Sequence, residues 1–148
     1  MANQIQLKGN FRHEEPLASG TITPGHLVEK TTATADTVIV HATEGGYAER
    51  MVAVEDALQG NTLDDDYSDG ARVMVHVVAT GAEVQMFLAA GESADEGDEL
   101  ISAGDGTLIV NGSEDSTTTV EQIIAYAMEA LDLSASGTSA TLMDVRIA

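Results

Sequence analysis

The chain of 148 residues carries 25 acidic against 6 basic side chains, a formal net charge of −19, with 43% hydrophobic residues, 3% aromatic ones and neither cysteine nor tryptophan. That is about one domain's length; the apolar content argues against a disordered chain, and the missing cysteines exclude a disulfide scaffold, a zinc ribbon and thiol catalysis. So strong a negative charge repels phosphates, so neither nucleic acid nor membrane is an expected partner, and the longest near-apolar run, Val73 to Ala79, falls far short of the ~20 residues that span a bilayer.

The opening stretch, MANQIQLKGN, holds no apolar signal core, so export by a secretory leader is not expected. Residues 1–19 contain Phe11 and Pro16 but no sustained periodicity, and they read as an extended N-terminal arm, with a strand of the body's own sheet as the alternative. Residues 20–148 read as a single β-rich domain. Thr23-Pro24-Gly25-His26 has proline and glycine at the two central positions of a turn, a hairpin or tight corner leading into Leu27–Lys30. Thr37–His41 and Arg50–Val54 are β-branched or apolar runs around Glu44-Gly45-Gly46, which predicts a second hairpin. The sharpest hairpin signal is Thr80-Gly81 between two alternating strands, with Val84, Met86 and Leu88 on one face of the second and Glu83, Gln85 and Phe87 on the other. Glu99–Ser102 and Thr107–Val110 flank Gly104-Asp105-Gly106, and Asn111-Gly112 then turns the chain. In TVEQIIAYAMEALDL, Thr119 and Gln122 have capping-box spacing, and Val120, Ile123, Ile124, Ala127, Met128 and Leu131 recur at helical intervals, predicting one C-terminal amphipathic α-helix near residues 120–131. Thr141–Ile147 alternates again and closes the fold as a strand. The fold class expected is therefore mainly β, a barrel- or sandwich-like body with one C-terminal amphipathic helix and an extended arm.

Chemistry has little to stand on. His13, His26, His41 and His76 are scattered, with no pair at ligand spacing, so no metal site is expected. The acidic run from Asp64 to Asp69 alternates like a calcium loop, but its sixth position is Asp69 rather than glycine and its twelfth is Val75 rather than glutamate, which favours a solvated loop. No G-x-S-x-G, Walker A or dinucleotide fingerprint is present. Asn111-Gly112-Ser113 is formally a glycosylation sequon, though Asn-Gly is also a common turn. No catalytic residue and no cofactor is expected, and the chain does not read as an enzyme.

With only two lysines, Lys8 and Lys30, and much Asp, Glu, Thr, Ala and Val, the composition resembles that of proteins from halophilic archaea. GTITPGHLVE, the long VAVEDALQGNTLDDDYSDGARVMVHVVATGAEVQMFLAAG, the turn-rich GDELISAGDGTLIV, IIAYAMEALDL and the final MDVRIA together resemble small head decoration (cement) proteins of tailed viruses, here of a virus infecting haloarchaea. The likeness runs over residues 20–148. It implies a β-rich body, often a homotrimer, on the capsid exterior, where it stabilises the head by bridging neighbouring major capsid proteins through its arm. On that reading Ile5, Leu7 and Phe11 are apolar contacts to the capsid and Lys8 and Arg12 basic ones. The alternative is an acidic non-catalytic binding module, a DNA mimic or a carbohydrate-binding virion component; carboxylates gathered at 64–69, 95–99 and 114–115 rather than in strand-like rows favour the virion role.

Charge makes the first prediction. At molar salt the Debye length falls to ~3 Å, which relieves the self-repulsion of the acidic surface. The melting temperature should therefore rise from dilute buffer to molar KCl, and should do so with chloride as well as with strongly salting-out anions. Thermal melts across a salt series check this, and a flat or falling trend contradicts it.

Overall fold

The computed structural model describes residues 3–112 and 121–148. In chain order the first seven strands are β1 Gln6–Lys8, β2 Phe11–Glu14, β3 Leu17–Ala18, β4 Leu27–Lys30, β5 Thr37–Val40, β6 Met51–Ala53 and β7 Val75–Val78. They are followed by β8 Glu83–Leu88, β9 Ser93–Ala94, β10 Glu99–Ser102, β11 Leu108–Val110, β12 Ala125–Ala127, β13 Leu131–Asp132 and β14 Thr141–Ile147.

β8 organises the first sheet. Its alternation puts Val84, Met86 and Leu88 in the core, fully buried, and β14 matches it in antiparallel register from Thr141 opposite Leu88 to Arg146 opposite Glu83, so that Met143 meets Met86 and Val145 meets Val84. β12 pairs with β14, β10 with β12 and β11 with β10; Leu108 of β11 then returns to Leu88 of β8 in parallel, closing a five-stranded barrel. The other end of β8 is covered by β1, with Gln6 opposite Val84. β9 and β13 form a small separate ribbon.

The second sheet runs β2-β7-β6-β4-β5-β3. Its two ends are drawn together by residues 16–18: Val73 N–H donates to the Pro16 carbonyl at 2.8 Å, Ala18 N–H donates to the Ala71 carbonyl at 2.8 Å, and Leu17 bridges Arg72. The sheet therefore curls around its own core of Ile22, Val28, Val38, Met51, Tyr67 and Val75. Its other face gives Leu27, Val52 and Val78 to the barrel's core.

Three expectations change. The predicted α-helix over 120–131 is not formed: Ala125, Tyr126 and Ala127 are a strand facing Ile147, Arg146 and Val145, and Ile124 N–H donates to the Leu100 carbonyl at 2.8 Å. Thr119 and Val120 of the expected cap lie outside the described residues. An alanine-rich stretch prefers helix by only tenths of a kcal/mol per residue, whereas the strand completes the barrel between β10 and β14 and buries Ile124, Ala125 and Ala127. Nor does Thr80-Gly81 make a hairpin. Ala82 N–H does donate to the Ala79 carbonyl at 3.1 Å, but only Gly81 has positive φ (85°), the pattern of a type II turn, which splays its flanking strands. β7 accordingly enters one sheet and β8 the other. Likewise β5 and β6 are not hairpin partners but flank β4 on its two sides.

The N-terminal segment is held as strand in the body's own sheets. β1 pairs with β8, β2 with β7 from Phe11 opposite Val78 to Glu14 opposite Val75, and β3 with β5.

Ile124 offers the test of this architecture. It is fully buried in the barrel core, so Ile124→Asp should lower unfolding stability by about 3–5 kcal/mol through an unpaired buried charge. Urea unfolding of the variant measures this, and a loss below about 1 kcal/mol would contradict the barrel placement.

Candidate binding cleft

The chain crosses from barrel to second sheet at Gly9. Its φ is 93°, and a Cβ there would stand 2.6 Å from the Ala82 Cβ, so only glycine lets β1 and β2 follow each other this closely. Next to this crossing lies a cleft of about 380 Å³, open to solvent. Gln4 and Gln6 line it from β1 and its lead-in, Phe11 and His13 from β2, His76 from β7. The fourth wall is the stretch after β6, where Asp56 caps the 3-10 turn Ala57–Gln59 by accepting the Gln59 N–H at 3.3 Å, and Gly60 ends it at φ 80°. That turn holds Leu58 out into solvent, 94% exposed.

The floor is aromatic. Phe11 stacks on His76 with ring centroids 3.8 Å apart and planes 9° from parallel, and His13, directly opposite His76 in register, meets that ring edge-on at 5.5 Å. His76 Nδ1 donates to Gln6 Oε1 at 3.3 Å. Burial, and secondarily the charge of His13, holds the His76 pKa down at about 4, so the stacked ring is neutral across the ordinary range. Two carboxylates stand on the rim. Glu55 Oε2 accepts the Ile5 N–H at 3.0 Å and so pins the start of the chain to this wall.

Of the sequence's contact candidates, only Phe11 reaches the cleft. Ile5 is fully buried in the barrel core, and Leu7 is half-buried. A bulge between Gln6 and Lys8 shifts the register of β1 there. Lys8 pairs with Glu83 at 3.0 Å, and Arg12 pairs with Glu14 at 2.6 Å. Glu14 also takes Lys30 at 3.0 Å, and this, ahead of Arg12, lowers its pKa. Glu55, Asp56, Leu58 and His76 were not singled out as contacts in the sequence; the one signal is the Asp-Ala-Leu-Gln-Gly turn pattern, which places a leucine on an exposed corner.

A hydroxyl, an imidazole and a carboxylate do come together elsewhere. His41 Nδ1 lies 2.6 Å from Ser102 Oγ, and its Nε2 is 3.1 Å from the Tyr47 carbonyl and 3.9 Å from Glu29. Ser102 and His41 are both fully buried, so no substrate can approach the hydroxyl. The trio serves as a clamp between the sheets. Among the described residues no group of three or more His, Asp or Glu is placed to hold a metal. The acidic loop uses its carboxylates on its own turn and neighbours: Asp65 accepts the Thr62 N–H at 2.7 Å, which lowers its pKa, Asp66 accepts the Thr23 hydroxyl, and Asp69 the Gly20 N–H. Asn111 and Gly112 form a turn, and Ser113 of the sequon lies outside the described residues.

No family model and no curated protein matches this chain. Among solved structures, the head fiber gp8.5 N base in bacteriophage phi29 is similar to it with a TM-score of 0.57 and 18% sequence identity, over 94% of this chain and 95% of that one. At that identity the likeness is one of fold, and it extends over nearly the whole of both chains.

The depressed His76 pKa sets the sign of a pH effect. The unfolded chain binds a proton near pH 6.5 that the folded chain binds only near 4, so stability is full above about pH 6.5 and is lost as pH falls towards 4. His26, lowered in the same direction by burial, adds to this slope. Replacing His76 with Gln should flatten it, and NMR titration of the His76 ring should give a midpoint near 4; a midpoint at or above 6 would contradict the burial described.

Proposed function

We propose that this chain is a structural protein of a tailed-virus virion, without enzymatic activity, that sits on the outside of the head and stabilises it by bridging neighbouring major capsid proteins. The observation that carries the reading is the near end-to-end likeness in fold to the head fiber N base of a bacteriophage. The resemblance of residues 20–148 to head decoration proteins, noted from sequence, points the same way. The physics of the surface agrees with a binding role. The cleft beside Gly9 is lined by Phe11, His13 and His76, and the His41–Ser102 pair is sealed from solvent. Assembly as a homotrimer would bury further apolar surface of a protein poor in large aromatics, and the acidic, lysine-poor composition suits a virus of a hypersaline host. The major capsid protein is the proposed partner.

Purified virions test the proposal. Quantitative mass spectrometry should find the chain at a fixed ratio to the major capsid protein, and surface labelling of intact heads should modify its exposed Lys8. Absence from purified particles would refute the virion role; presence with Lys8 shielded until the heads are opened would refute exterior placement.

A further inference from the structure

We propose that the cleft between β1, β2 and the Ala57–Gln59 turn seats an arginine or lysine side chain from an extended segment of the capsid, an inference that rests on the virion role above. Three features of the cleft converge on such an occupant. The first is charge. Glu55 and Asp56 stand on one rim, and among the described residues neither is ion-paired with a cation. The nearby basic side chains, Lys8 and Arg12, are taken up by Glu83 and Glu14. A cation entering here meets uncompensated carboxylates on a molecule whose net charge is −19, which also draws basic segments in from a distance.

The second feature is the apolar lining. One face of the Phe11 ring rests on His76, yet Phe11 remains 46% exposed, leaving ring surface for a guanidinium or ammonium group to lie against. Leu58, 94% exposed on the opposing turn, is a large apolar side chain with nothing over it. The aliphatic stem of a long basic side chain covers such a surface while its charged head reaches the carboxylates. About 380 Å³ is the lower end of the range for ligand cavities, room for one long side chain and its flanking backbone.

The third feature is the backbone. β1 and β2 are each the terminal strand of their sheet. Val78 N–H donates to Arg50 of the neighbouring strand segment, whereas Ala79 N–H donates to Asn10, so alternation directs Val77 towards Arg12. Phe11 and His13 therefore turn their own N–H and C=O groups to the open edge of β2 while their side chains line the cleft. An extended segment running along this edge gains main-chain hydrogen bonds from the same residues that receive its side chain. A neutral apolar peptide would leave the two carboxylates unpaired, and an acidic one would be repelled.

The test uses capsid particles assembled without the chain, mixed with purified full-length protein and read by co-sedimentation. Wild type and a remote control, Tyr47→Asp, should bind equally, since Tyr47 is exposed elsewhere. Leu58→Lys, which replaces the apolar cover with a like charge facing the incoming cation, should bind at least tenfold more weakly. Asp56→Asn, which keeps the capping oxygen and removes the charge, should weaken binding severalfold and reduce its dependence on salt. Unchanged thermal melts of both variants would show that the fold is intact. Placing p-benzoylphenylalanine at position 58 should then yield a photo-crosslink to a capsid peptide with Arg or Lys near the attachment point. Equal particle binding by wild type and the cleft variants overturns the cleft while leaving the virion role standing, and failure of wild type itself to bind overturns both. Crosslinks to a second copy of this chain, or to a capsid segment with no basic residue, also overturn the assignment.

Discussion

The ladder between β8 and β14 is the interaction on which the rest of this molecule depends. It is the longest register in the structure, and it aligns Met86 with Met143 and Val84 with Val145 on the buried side. Each such side chain removed from water contributes about 1.5–3 kcal/mol. Neither strand has an edge to spare. β14 carries β12 on its far side, and β8 divides its far side between β1 near Glu83 and β11 at Leu88. Closing the barrel therefore fixes the lead into β1, because Ile5 enters the same core and its carbonyl accepts the Gln85 N–H at 2.8 Å. The cleft inherits its geometry from this closure, since Gln4 and Gln6 are placed by the strand that completes β8.

The joint between the two sheets combines backbone hydrogen bonds with the apolar contacts of Leu27, Val52 and Val78. Leu27 N–H donates to the Gly106 carbonyl at 2.8 Å, Gly106 N–H to the His41 carbonyl at 3.2 Å, and Gly45 N–H to the Ser102 carbonyl at 2.9 Å, with the buried His41–Ser102 pair among them. Gly106 has positive φ, 87°, and a Cβ there would press on Val40 and the His26 ring at 3.1 Å, so the hairpin tip of the barrel can lie against the second sheet only because that residue is glycine. Satisfied polar groups of this kind cost little when paired and much when broken. They tie the β10–β11 hairpin of the barrel to the start of β4 and to the loop that follows β5 in the second sheet.

Much of this was legible because the strands that bury one face alternate. Val84, Met86 and Leu88, and Met143, Val145 and Ile147, announce their inward faces, and the hairpin from Glu99 to Val110 through Gly104-Asp105-Gly106 forms as the turn residues imply. Thr23-Pro24-Gly25-His26 makes the corner its residues demand, with His26 N–H donating to the Thr23 carbonyl and Gly25 at φ 101°. What stayed hidden depends on distant partners. Ile123, Ile124, Ala127 and Met128 recur at helical spacing rather than in strand alternation, and only the gap between β10 and β14 makes the stretch a strand. Thr80-Gly81 differs, because its signal was present: a tight I′ hairpin needs positive φ at both central residues, which β-branched Thr80 disfavours, and only Gly81 adopts it. The cleft was illegible because its walls come from four separated segments, and exposure of Leu58 is a property of the surface that surrounds it.

The acidic composition acquires a structural meaning once the loops are in view. Carboxylates hold the turns by accepting backbone N–H groups: Glu92 from Val110, Asp98 from Asp95, Asp105 from Thr107, Glu129 from Asp144 and Glu55 from Ile5. Hydrogen bonds to a charged group contribute about 1.5–3 kcal/mol each against about 1 for neutral ones, so a chain with small cores and many short connections gains order from its acids. The cost is mutual repulsion over the surface, and the few cations are spent against it where strands meet, Lys8 on Glu83, Lys30 and Arg12 on Glu14, and Arg72 on Asp36. Glu55 and Asp56 are used in the same way towards the backbone, one on Ile5 and one on Gln59, but no cation from the described chain answers them. Their charge is thus fixed in place by the fold, beside exposed Phe11 and Leu58, at the seam where both sheets end in an open strand. A rim whose geometry is set by backbone hydrogen bonds, and whose charge is left uncompensated, is preorganised for a cation that comes from another molecule.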